Sequence, residues 1–333
     1  MKKIIFSFFN NNLIANSILL EQYDHFKKLK SFLNKNNINI KMFTGNVSDD
    51  TDAIIYFDMI FPWKIFIWKQ IFKNRDKNIL FIFEPPIVNP FNYFKFLHIF
   101  FKKVYTWNDD LIDNKKYFKF YWQQLNFGIN IQKKSFQEKK FLILINGNKI
   151  SFTPFRIISK FGKELYLERI KSIKYFEKNI PEKFSLYGKG WNKAKKFNLK
   201  EKLFGFKKYK TYKGEIDNKI ELLSNFKYCL CFENLTNVNG YITEKIFDCF
   251  KAKCVPIYWG ASNIKKCIPK DCFIDYRDFM SYEKLLNHLE NIDENEYNQY
   301  MKNIEKLLVN KDFLDVWFED GWANFFLKVV KEI

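Results

Sequence analysis

Two polar side chains follow a strongly apolar run, where they could bind a ligand. Residues 228–232 read YCLCF, a pattern typical of a buried strand, and Glu233 and Asn234 come directly after it. In an open parallel sheet, ligands bind beyond the carboxyl ends of the strands. We therefore expect both side chains to face a crevice at the edge of a sheet.

The element that follows brings charge to the same place. A helix is predicted to open around Thr243, a residue type that suits the N-cap, so Glu244 and Lys245 fall in its first turn. Exposed backbone amides and the positive helix end favour an anionic group there. A lysine opposes the helix dipole at this end, and a diphosphate between the lysine and the helix would explain it. A capped surface helix with solvated charges is the alternative.

A second junction between a strand and a helix follows along the chain. Residues 255–259 form another apolar run that ends at Gly260, and a short helix is predicted to start near Ser262. Two neighbouring junctions of this kind are typical of a nucleotide-sugar site in a doubly wound domain. Gly260 is therefore counted among the residues of the binding site.

The elements that would position this site alternate along the chain. Short apolar runs of strand type are separated by helical segments, which predicts parallel sheets covered by helices. The strands are expected at residues 3–9, 38–43, 53–57, 79–83 and 104–107, and in a second series at 141–145, 184–187, 228–232, 255–258 and 273–274. Two series indicate two α/β domains.

Other segments are predicted to link the domains and close the fold. The lysine-rich stretch at residues 130–140 is interpreted as a linker. Residues 282–308 and 312–330 have helical periodicity, and the second carries an aromatic cluster. We expect that cluster to pack across a domain interface rather than to anchor in a membrane.

The composition limits the chemistry that this chain can perform. The chain has 333 residues, and its 47% hydrophobic content is enough for a substantial core. A net charge of +19 first indicates nucleic acid or an anionic membrane as partner, yet only four of the 56 basic residues are arginines, and they do not cluster. With three histidines and no recognisable motif around them, a histidine-rich zinc site and a Ser/His/Asp hydrolase are disfavoured.

Cysteine usage and hydropathy indicate the cellular compartment in which the chain is expected. All six cysteines lie between positions 229 and 272 with no CxxC pair, so we expect buried thiols in a reducing compartment. No run approaches the roughly 18 apolar residues of a membrane-spanning helix. The apolar start of the chain is expected to be a first core strand rather than a signal peptide.

One long segment resembles a known family. The run that contains FEN, GYITEKIFDCFKAKCVPIYWGASNI and FID in this order is similar to the signature of the α-1,3/4-fucosyltransferases, glycosyltransferase family 10, of the bacterial type. The resemblance is strongest over residues 210–280 and extends to YGKGWN at 187–192. FEPPIVNP at 83–90 resembles the acidic-Pro element of that family, and residues 104–123 resemble the segment before its domain link.

The resemblance implies an architecture and an activity. The fold would be GT-B, with two Rossmann-like domains facing a cleft: residues 1–135 binding the acceptor, 136–310 binding GDP-fucose, and a C-terminal helix at 311–333 crossing back over the interface. The enzyme would transfer L-fucose, with inversion, from GDP-fucose to a hydroxyl of an N-acetylglucosamine-containing glycan, in α-1,3 linkage. A GT-B enzyme with another sugar nucleotide, or a basic protein that binds nucleic acid or lipid, are the alternatives.

The resemblance also assigns roles to residues. Lys245 would contact the diphosphate, Glu244 would accept hydrogen bonds from ribose hydroxyls, and Tyr241 and Asn234 would complete the donor site. Glu84 falls on the general base of the family. Inversion by single displacement needs one such carboxylate and a cation for the departing diphosphate, which Glu84 and Lys245 would supply.

One position departs from the family pattern. The family offers the diphosphate an arginine at the start of the first helix of the donor domain, and Lys163 takes that place here, with Arg156 seven residues earlier. Lysine keeps the charge but loses the bidentate fork. Either Lys163 acts as a point charge, or Arg156 reaches in, or transfer is weaker than in the family. For Arg169, pairing with a nearby acid would be a sufficient role.

Cofactors, partners and location are also expectations at this point. Asp50 and Asp52 form the only DxD-spaced pair and are interpreted as a polar turn, so no metal is expected to be required, although Mn or Mg could stimulate by screening phosphate. The expected partners are GDP-fucose and an acceptor like N-acetyllactosamine in a surface polysaccharide such as lipopolysaccharide with Lewis antigens, without nucleic acid. The enzyme is expected in the cytoplasm, in peripheral contact with the anionic inner face of the membrane.

Overall fold

Two compact units make up the chain. A computed structural model describes residues 1–8, 24–122, 124, 134–150, 153–158, 161–193 and 208–333. Contacts group residues 1–127, 153–161 and 314–333 into the first unit and residues 128–152 and 162–313 into the second. The chain thus leaves the first unit and returns to it twice.

The first unit is built on a six-stranded parallel sheet. Its strands are β1 (Lys2–Phe8), β2 (Ile38–Met42), β3 (Ala53–Phe57), β4 (Asn78–Ile82), β5 (Lys103–Thr106) and β6 (Tyr117–Lys119). Their order across the sheet is β2-β1-β3-β4-β5-β6, and each neighbouring pair is parallel. Every residue of β3 and β4 is buried, as expected for parallel strands covered on both faces.

Helices cover the two faces of this sheet. They are α1 (Asp24–Lys35), α2 (Ile65–Lys73), α3 (Thr153–Ile158) and, from the C-terminal end of the chain, α11 (Glu319–Lys331). Successive β3 residues divide between two core clusters because side chains alternate across a strand. Ile55 packs with Phe326 and Val330 of α11, whereas Ile54 packs with Ile71 of α2.

The second unit contains a five-stranded parallel sheet. Its strands are β7 (Lys140–Ile145), β9 (Phe184–Tyr187), β10 (Phe226–Phe232), β12 (Val255–Trp259) and β13 (Ile274–Asp275), in the order β13-β12-β10-β7-β9. Two short strands, β8 (Lys163–Glu164) and β11 (Leu235–Thr236), pair antiparallel beside it. The inner strands β10 and β12 are almost entirely buried.

Helices connect the strands of the second unit. They are α4 (Tyr166–Asn179), α5 (Lys219–Leu223), α6 (Glu244–Lys251), α7 (Ile264–Cys267), α8 (Tyr282–Asn291), α9 (Glu294–Leu308) and α10 (Lys311–Trp317), the last reaching into the first unit. The face of α4 that carries Tyr166, Ile173 and Phe176 is buried. Because β10, β7 and β9 are parallel neighbours, their carboxyl ends lie along one edge of the sheet. Ligands bind at such an edge in open parallel sheets.

The sequence located the main strands and misjudged two helices. All ten predicted strands are confirmed to within two residues, although Phe9 lies outside the described residues. The helix predicted at 282–308 is in fact two, because Asp293 caps a new helix by accepting a hydrogen bond from the Glu296 amide at 2.8 Å. The helix predicted at 312–330 is likewise divided, between Trp317 and Glu319.

The units differ from the linear division that the sequence indicated. That division had boundaries at 135 and 310, whereas the contacts return residues 153–161 and 314–333 to the first unit. The apolar side chains of α11 are the physical reason, since Phe326 stacks on Phe81 of β4 with ring centroids 5.0 Å apart. Residues 130–133 of the interpreted linker lie outside the described residues, as does the side chain of Trp322.

Thiols and hydropathy complete the description of the fold. None of the six cysteines forms a disulfide; five of them are buried and Cys267 is half-buried, so the expectation of buried thiols is confirmed for five. Cys229 and Cys231 lie inside β10. Within the described part of the chain, no helix has both the length and the apolar character to span a bilayer.

Candidate functional site

A cavity of about 270 Å³ lies at the carboxyl edge of the sheet in the second unit. It is slightly smaller than the roughly 300–1,000 Å³ of most small-molecule sites. The ends of three strands and the N-terminal parts of three helices form its wall. The lining residues are Ile145, Asn146, Gly147, Lys149, Arg169, Gly188, Lys219, Asn234, Glu244 and Lys245.

Arg169 of α4 is the most constrained cation of this wall. Its side chain is 4% exposed, and its Nη2 donates to the Phe232 carbonyl at 2.7 Å and to Asn234 Oδ1 at 2.9 Å. Its Nε is buried without a hydrogen-bond partner among the described residues. A buried guanidinium with a spare donor beside a cavity is suited to receive an anion, because an unsatisfied buried donor is costly.

Lys245 enters the cavity from the first turn of α6. Its Nζ donates to Glu233 Oε2 at 2.9 Å and to Thr243 Oγ1 at 2.9 Å, and its side chain is 16% exposed. Burial alone would lower the pKa of Lys245, but the charges of Glu233 and Glu244 raise it, so the amine stays protonated. Lys245 is thus a fixed positive charge at a helix N-terminus.

Glu233 holds the end of β10 against the start of α6. It is fully buried, so the expectation that it faces a crevice is wrong, and its Oε1 accepts a hydrogen bond from the Thr243 amide at 2.8 Å. Thr243 is the N-cap residue, but its hydroxyl donates to Glu233 Oε2 at 2.7 Å instead of capping the helix. The carboxylate of Glu233 therefore performs the capping and fixes Lys245.

Glu244 is the one acid on the cavity wall among the described residues. Burial opposes its ionisation, yet the charges of Lys245 and Lys219 lower the pKa of Glu244 to about 2. It lies 3.5 Å from Lys245 Nζ, and Lys219 is itself paired with Asp248 at 2.8 Å. An ionised carboxylate beside several cations can accept hydrogen bonds from hydroxyl groups of a ligand whose anionic part the cations bind.

The strands β7 and β9 shape the opposite wall through close backbone contacts. A Cβ at Gly188 would lie 2.2 Å from the Asn146 carbonyl oxygen, and the φ of Gly188 is +126°. The same carbonyl accepts a hydrogen bond from Trp191 Nε1 at 2.5 Å. Only glycine fits at position 188, because both the space and the backbone conformation exclude a side chain.

A family comparison agrees with this geometry. The sequence model described as "Glycosyltransferase family 10 (fucosyltransferase) C-term" matches residues 155–318, a segment that includes α4, β10 and α6. This segment, just under half of the chain, is similar to the C-terminal domain of glycosyltransferase family 10. The resemblance drawn from the sequence is thereby confirmed.

Curated relatives match the chain over short segments. The α-(1,3)-fucosyltransferase FucT of Helicobacter pylori is 37% identical over 75 residues, which are 22% of this chain and 16% of that protein. The 4-galactosyl-N-acetylglucosaminide 3-α-L-fucosyltransferase 9 of Mus musculus is 40% identical over 80 residues, which are 23% of this chain and 22% of that protein. The matched segments therefore span less than a quarter of the length of these relatives.

Solved structures share the fold over nearly the whole chain. A crystal structure of an α1,3-fucosyltransferase superposes with a TM-score of 0.53 over 91% of this chain and 81% of the other, at 15% identity. HepE of Anabaena, solved with UDP-glucose, superposes with a TM-score of 0.56 over 100% of both chains at 9% identity. At such identities the likeness concerns the fold alone, and it confirms the GT-B class of two parallel-sheet α/β domains.

Two of the residues expected at the donor site, Tyr241 and Gly260, support the cavity wall rather than form it. Tyr241 is 1% exposed, and its hydroxyl lies 3.4 Å from Asn234 Nδ2, which does line the cavity. Gly260 allows a close approach, since a Cβ there would lie 2.4 Å from the Tyr258 hydroxyl and 2.5 Å from Glu233 Cγ. Both residues thus contact residues at the cavity without lining it among the described residues.

Neither Lys163 nor Arg156 belongs to the described wall of the cavity. Lys163 lies in β8 and not at a helix start, because α4 begins only at Tyr166, and its Nζ is 3.9 Å from Glu168 Oε1. Arg156 is exposed on α3, in the part of the chain that groups with the first unit. The guanidinium at the cavity is that of Arg169, which bonds to a carbonyl and an amide rather than to an acid.

Sequence reasoning missed three cations of this wall, Lys149, Arg169 and Lys219. A signal for Arg169 was present, because it falls on the apolar face of α4, three residues after Tyr166 and four before Ile173. An arginine on the buried face of an amphipathic helix needs a partner or a ligand. For Lys149, which is exposed and follows β7, the local sequence carried no comparable signal.

The residues considered for a base and for a metal lie in the first unit. Glu84 is half-buried, two residues beyond the end of β4. Asp50 and Asp52 both bind Lys3, through its ammonium and its backbone amide respectively. The described residues contain no group of three or more His, Cys, Asp or Glu side chains placed to hold a metal ion.

Proposed function

We propose that this chain is an inverting fucosyltransferase that moves L-fucose from GDP-fucose to a hydroxyl of an N-acetylglucosamine-containing glycan, in α-1,3 linkage. The observation that carries the proposal is the cation-lined cavity at the carboxyl edge of the second sheet, whose cations Arg169, Lys219 and Lys245 lie inside the segment that matches family 10. The names of the Helicobacter pylori and mouse relatives, both α-1,3-fucosyltransferases, support the choice of sugar and linkage.

The donor diphosphate is proposed to lie against Arg169 and Lys245. Arg169 Nε has no protein partner among the described residues, and Lys245 is held in place by Glu233. The start of α6 adds backbone amides that favour an anion. Together these groups would stabilise the negative charge on the departing GDP without reorganising during the reaction. Glu244, ionised beside them, is proposed to accept hydrogen bonds from ribose hydroxyls.

Glu84 is proposed to take the proton from the attacking hydroxyl of the acceptor. A single displacement forms the new bond to the anomeric carbon as the bond to the diphosphate breaks, and the acceptor proton passes to one carboxylate. No covalent glycosyl-enzyme is required, so one carboxylate suffices. The position of Glu84 directly before two prolines supports a fixed orientation of its backbone.

The donor test measures consumption of sugar nucleotide with an N-acetyllactosamine acceptor. GDP-fucose should be consumed, GDP-mannose and UDP-glucose should not, and NMR of the product should show an α-1,3-linked fucose. Failure to consume GDP-fucose with acceptors of this type would contradict the proposal. Consumption of UDP-glucose instead would favour the alternative that the enzyme uses another sugar nucleotide. UDP-glucose is the ligand with which HepE was solved.

The base test compares two glutamates of the first unit. Glu84→Gln should abolish transfer while binding of GDP, measured by calorimetry, stays as in the wild type. Glu332→Gln is the matched control, because Glu332 is 44% exposed and paired with Lys103 at the surface. Full activity in Glu84→Gln would remove Glu84 as base and leave the family assignment intact.

The cations of the cavity also bear on whether a metal ion is needed. We propose that catalysis requires no metal, because Arg169, Lys219 and Lys245 place positive charge where a cation would act. Transfer should persist in excess EDTA, and added Mn or Mg should alter the rate only modestly. The net charge of +19 supports peripheral contact with the anionic inner face of a cytoplasmic membrane. A surface polysaccharide as acceptor is proposed from the family resemblance alone.

A further inference from the structure

A buried polar cluster surrounds the backbone of Glu84 in the first unit. Asp58, Asn92 and His98 are respectively 3%, 0% and 1% exposed, although all three side chains are polar or titratable. Buried groups of this kind are costly unless they are hydrogen-bonded, so their arrangement calls for a physical explanation. None of the three was singled out as a site residue from the sequence.

Asp58 holds the amide end of Glu84. One oxygen, Oδ1, accepts hydrogen bonds from the amides of Phe83 at 2.7 Å and Glu84 at 2.9 Å, and from Asn92 Nδ2 at 2.7 Å. Asp58 directly follows β3 and has a φ of +66°, a conformation that aspartate and asparagine tolerate better than most residues. This turn after β3 therefore places the carboxyl group of Asp58 at the end of β4.

Asn92 and Tyr93 hold the carbonyl end of Glu84. The Glu84 carbonyl accepts hydrogen bonds from Asn92 Nδ2 at 3.1 Å and from the Tyr93 hydroxyl at 3.0 Å. Asn92 is itself fixed, because its Oδ1 accepts from the Met59 amide at 2.6 Å and its carbonyl contacts His98 Nε2 at 3.0 Å. Both polar groups of the Glu84 backbone are thus bound by side chains from other parts of the unit.

The surroundings of Asp58 favour its neutral form. The titratable groups that act on it are Glu84, from the end of β4, and Tyr93, while His98 reaches the cluster only through the Asn92 carbonyl. No cation pairs with Asp58 within the described ranges. Burial, and next the charge of Glu84, raise the pKa of Asp58 to about 7, although its three hydrogen bonds oppose this.

We propose that Asp58 is a positioning residue for Glu84 and fixes its backbone together with Asn92 and Tyr93. As a second carboxyl group nearby, Asp58 also sets the pH range in which Glu84 accepts a proton. The inference rests on the proposed function, in which Glu84 is the base. Ionised Asp58 repels the charge on Glu84 and makes it the stronger proton acceptor, whereas protonated Asp58 does not. Transfer should therefore accelerate as Asp58 ionises.

Asp58→Asn separates the charge of this group from its shape. Asparagine keeps an acceptor oxygen for the two amides and tolerates the positive φ, but it cannot ionise. We expect kcat at pH 8 to fall by about fivefold or more, KM for GDP-fucose to stay within about twofold, and the rate to lose its rise between about pH 6 and 8. A purely structural role would leave the shape of the pH profile unchanged.

Tyr93→Phe provides a second measurement that does not depend on the first. It deletes a single hydroxyl, so the Glu84 carbonyl loses one of its two donors while no charge changes. We expect kcat to fall by about threefold or more with the pH profile retained. If Asp58→Asn does not fold by circular dichroism, this variant decides: a fall in kcat supports the proposal, and a wild-type kcat overturns it.

A control and a reference variant separate this inference from the function on which it rests. Asn74→Ala removes a comparable hydrogen bond, from Asn74 Nδ2 to the Gln70 carbonyl at 2.9 Å, at the end of α2, and should leave kcat unchanged. If Glu84→Gln abolishes transfer but Asp58→Asn keeps both the kcat and the pH profile of the wild type, the positioning role alone is overturned. If Glu84→Gln is active, the proposed base itself fails.

Discussion

The positive charge of the cavity comes from side chains in very different states. Lys245 and Arg169 are almost buried and tied to protein partners, whereas Lys149 is exposed after β7. A buried charge that loses its partner is destabilising, so changing Lys245 would leave Glu233 uncompensated and confuse binding with stability. Exposed Lys149 is therefore the cation whose contribution to ligand binding can be measured cleanly.

Lys149→Ala should weaken the affinity for GDP by about two- to fivefold, as expected for a solvent-exposed charge pair. The dependence of the dissociation constant on salt should decrease at the same time, because one screened attraction is lost. Calorimetric titration with GDP at two salt concentrations measures both effects. Lys174→Ala, an exposed lysine of α4 that does not line the cavity, is the control and should bind GDP as the wild type does.

His98 gives the first unit a defined dependence of stability on pH. Burial, with help from the charges of Lys116 and Lys95, lowers the pKa of His98 to about 4. In the unfolded chain His98 binds a proton near pH 6.5, whereas in the folded chain it does so only near pH 4, so the contribution of His98 to the free energy of unfolding should fall by at most about 3 kcal/mol as the pH drops through this range. Asp58 acts in the opposite direction, because its pKa is raised to about 7 in the folded chain.

Urea unfolding between pH 7 and 4 measures this loss. The difference in unfolding free energy between His98→Gln and the wild type should change by up to about 3 kcal/mol over this range, whereas the difference for His288→Gln, which replaces a half-buried histidine of α8, should stay constant. Equal slopes in the wild type and His98→Gln would show that His98 titrates normally in the folded protein.

At the scale of the elements, the sequence was most informative where the hydrophobic pattern is strong. All ten predicted strands carry apolar runs, and burial on both faces turns such runs into a direct signal. The short strands β6, β8 and β11 were not predicted, since two or three residues carry no periodicity. Thr243 was correctly placed at the start of α6, but the capping carboxylate comes from Glu233, ten residues away, which local patterns do not reveal.

The close approach of β7 and β9 should be sensitive to a single methyl group. Gly188→Ala would place a Cβ 2.2 Å from the Asn146 carbonyl oxygen, so we expect a large loss of stability and of GDP affinity together. Thermal unfolding and calorimetry of the same preparation measure both.

Gly214 offers a matched control for the backbone strain. Its φ of +118° is close to the +126° of Gly188, but a Cβ there would have no atom within 4 Å. Gly214→Ala should therefore cost only the strain of about 1–2 kcal/mol and leave GDP binding intact. Equal losses in the two variants would show that strain, and not the steric contact, determines the effect.

For the whole molecule, the core of the first unit depends on both ends of the chain. Phe326 of α11 contacts Phe6 of β1, Phe57 of β3 and Phe81 of β4, with ring centroids between 5.0 and 6.0 Å apart. The C-terminal aromatic residues were recognised from the sequence as a packing cluster. Their membership of one unit was not, because it depends on contacts more than 200 positions apart in sequence, which local patterns do not encode.

Phe326→Ala should lower the free energy of unfolding by about 3–5 kcal/mol, through lost burial and the cavity left behind. The GDP affinity of the folded protein should not change, because none of the residues lining the cavity belongs to the first unit. Urea unfolding and calorimetry provide the two readouts. Phe96→Ala, which truncates a side chain that is 67% exposed, should change stability by no more than about 0.5 kcal/mol.

The return of the chain to its first unit has a consequence for synthesis on the ribosome. Strands β1 to β6 emerge early, but α11 follows about 200 residues later, which at typical rates of translation takes about 10–40 s. During that interval the second unit can complete its own sheet, while Phe6, Phe57 and Phe81 lack their contacts with Phe326. The N-terminal half of the nascent chain is therefore the part that most needs a chaperone, and it should finish folding last although it is made first.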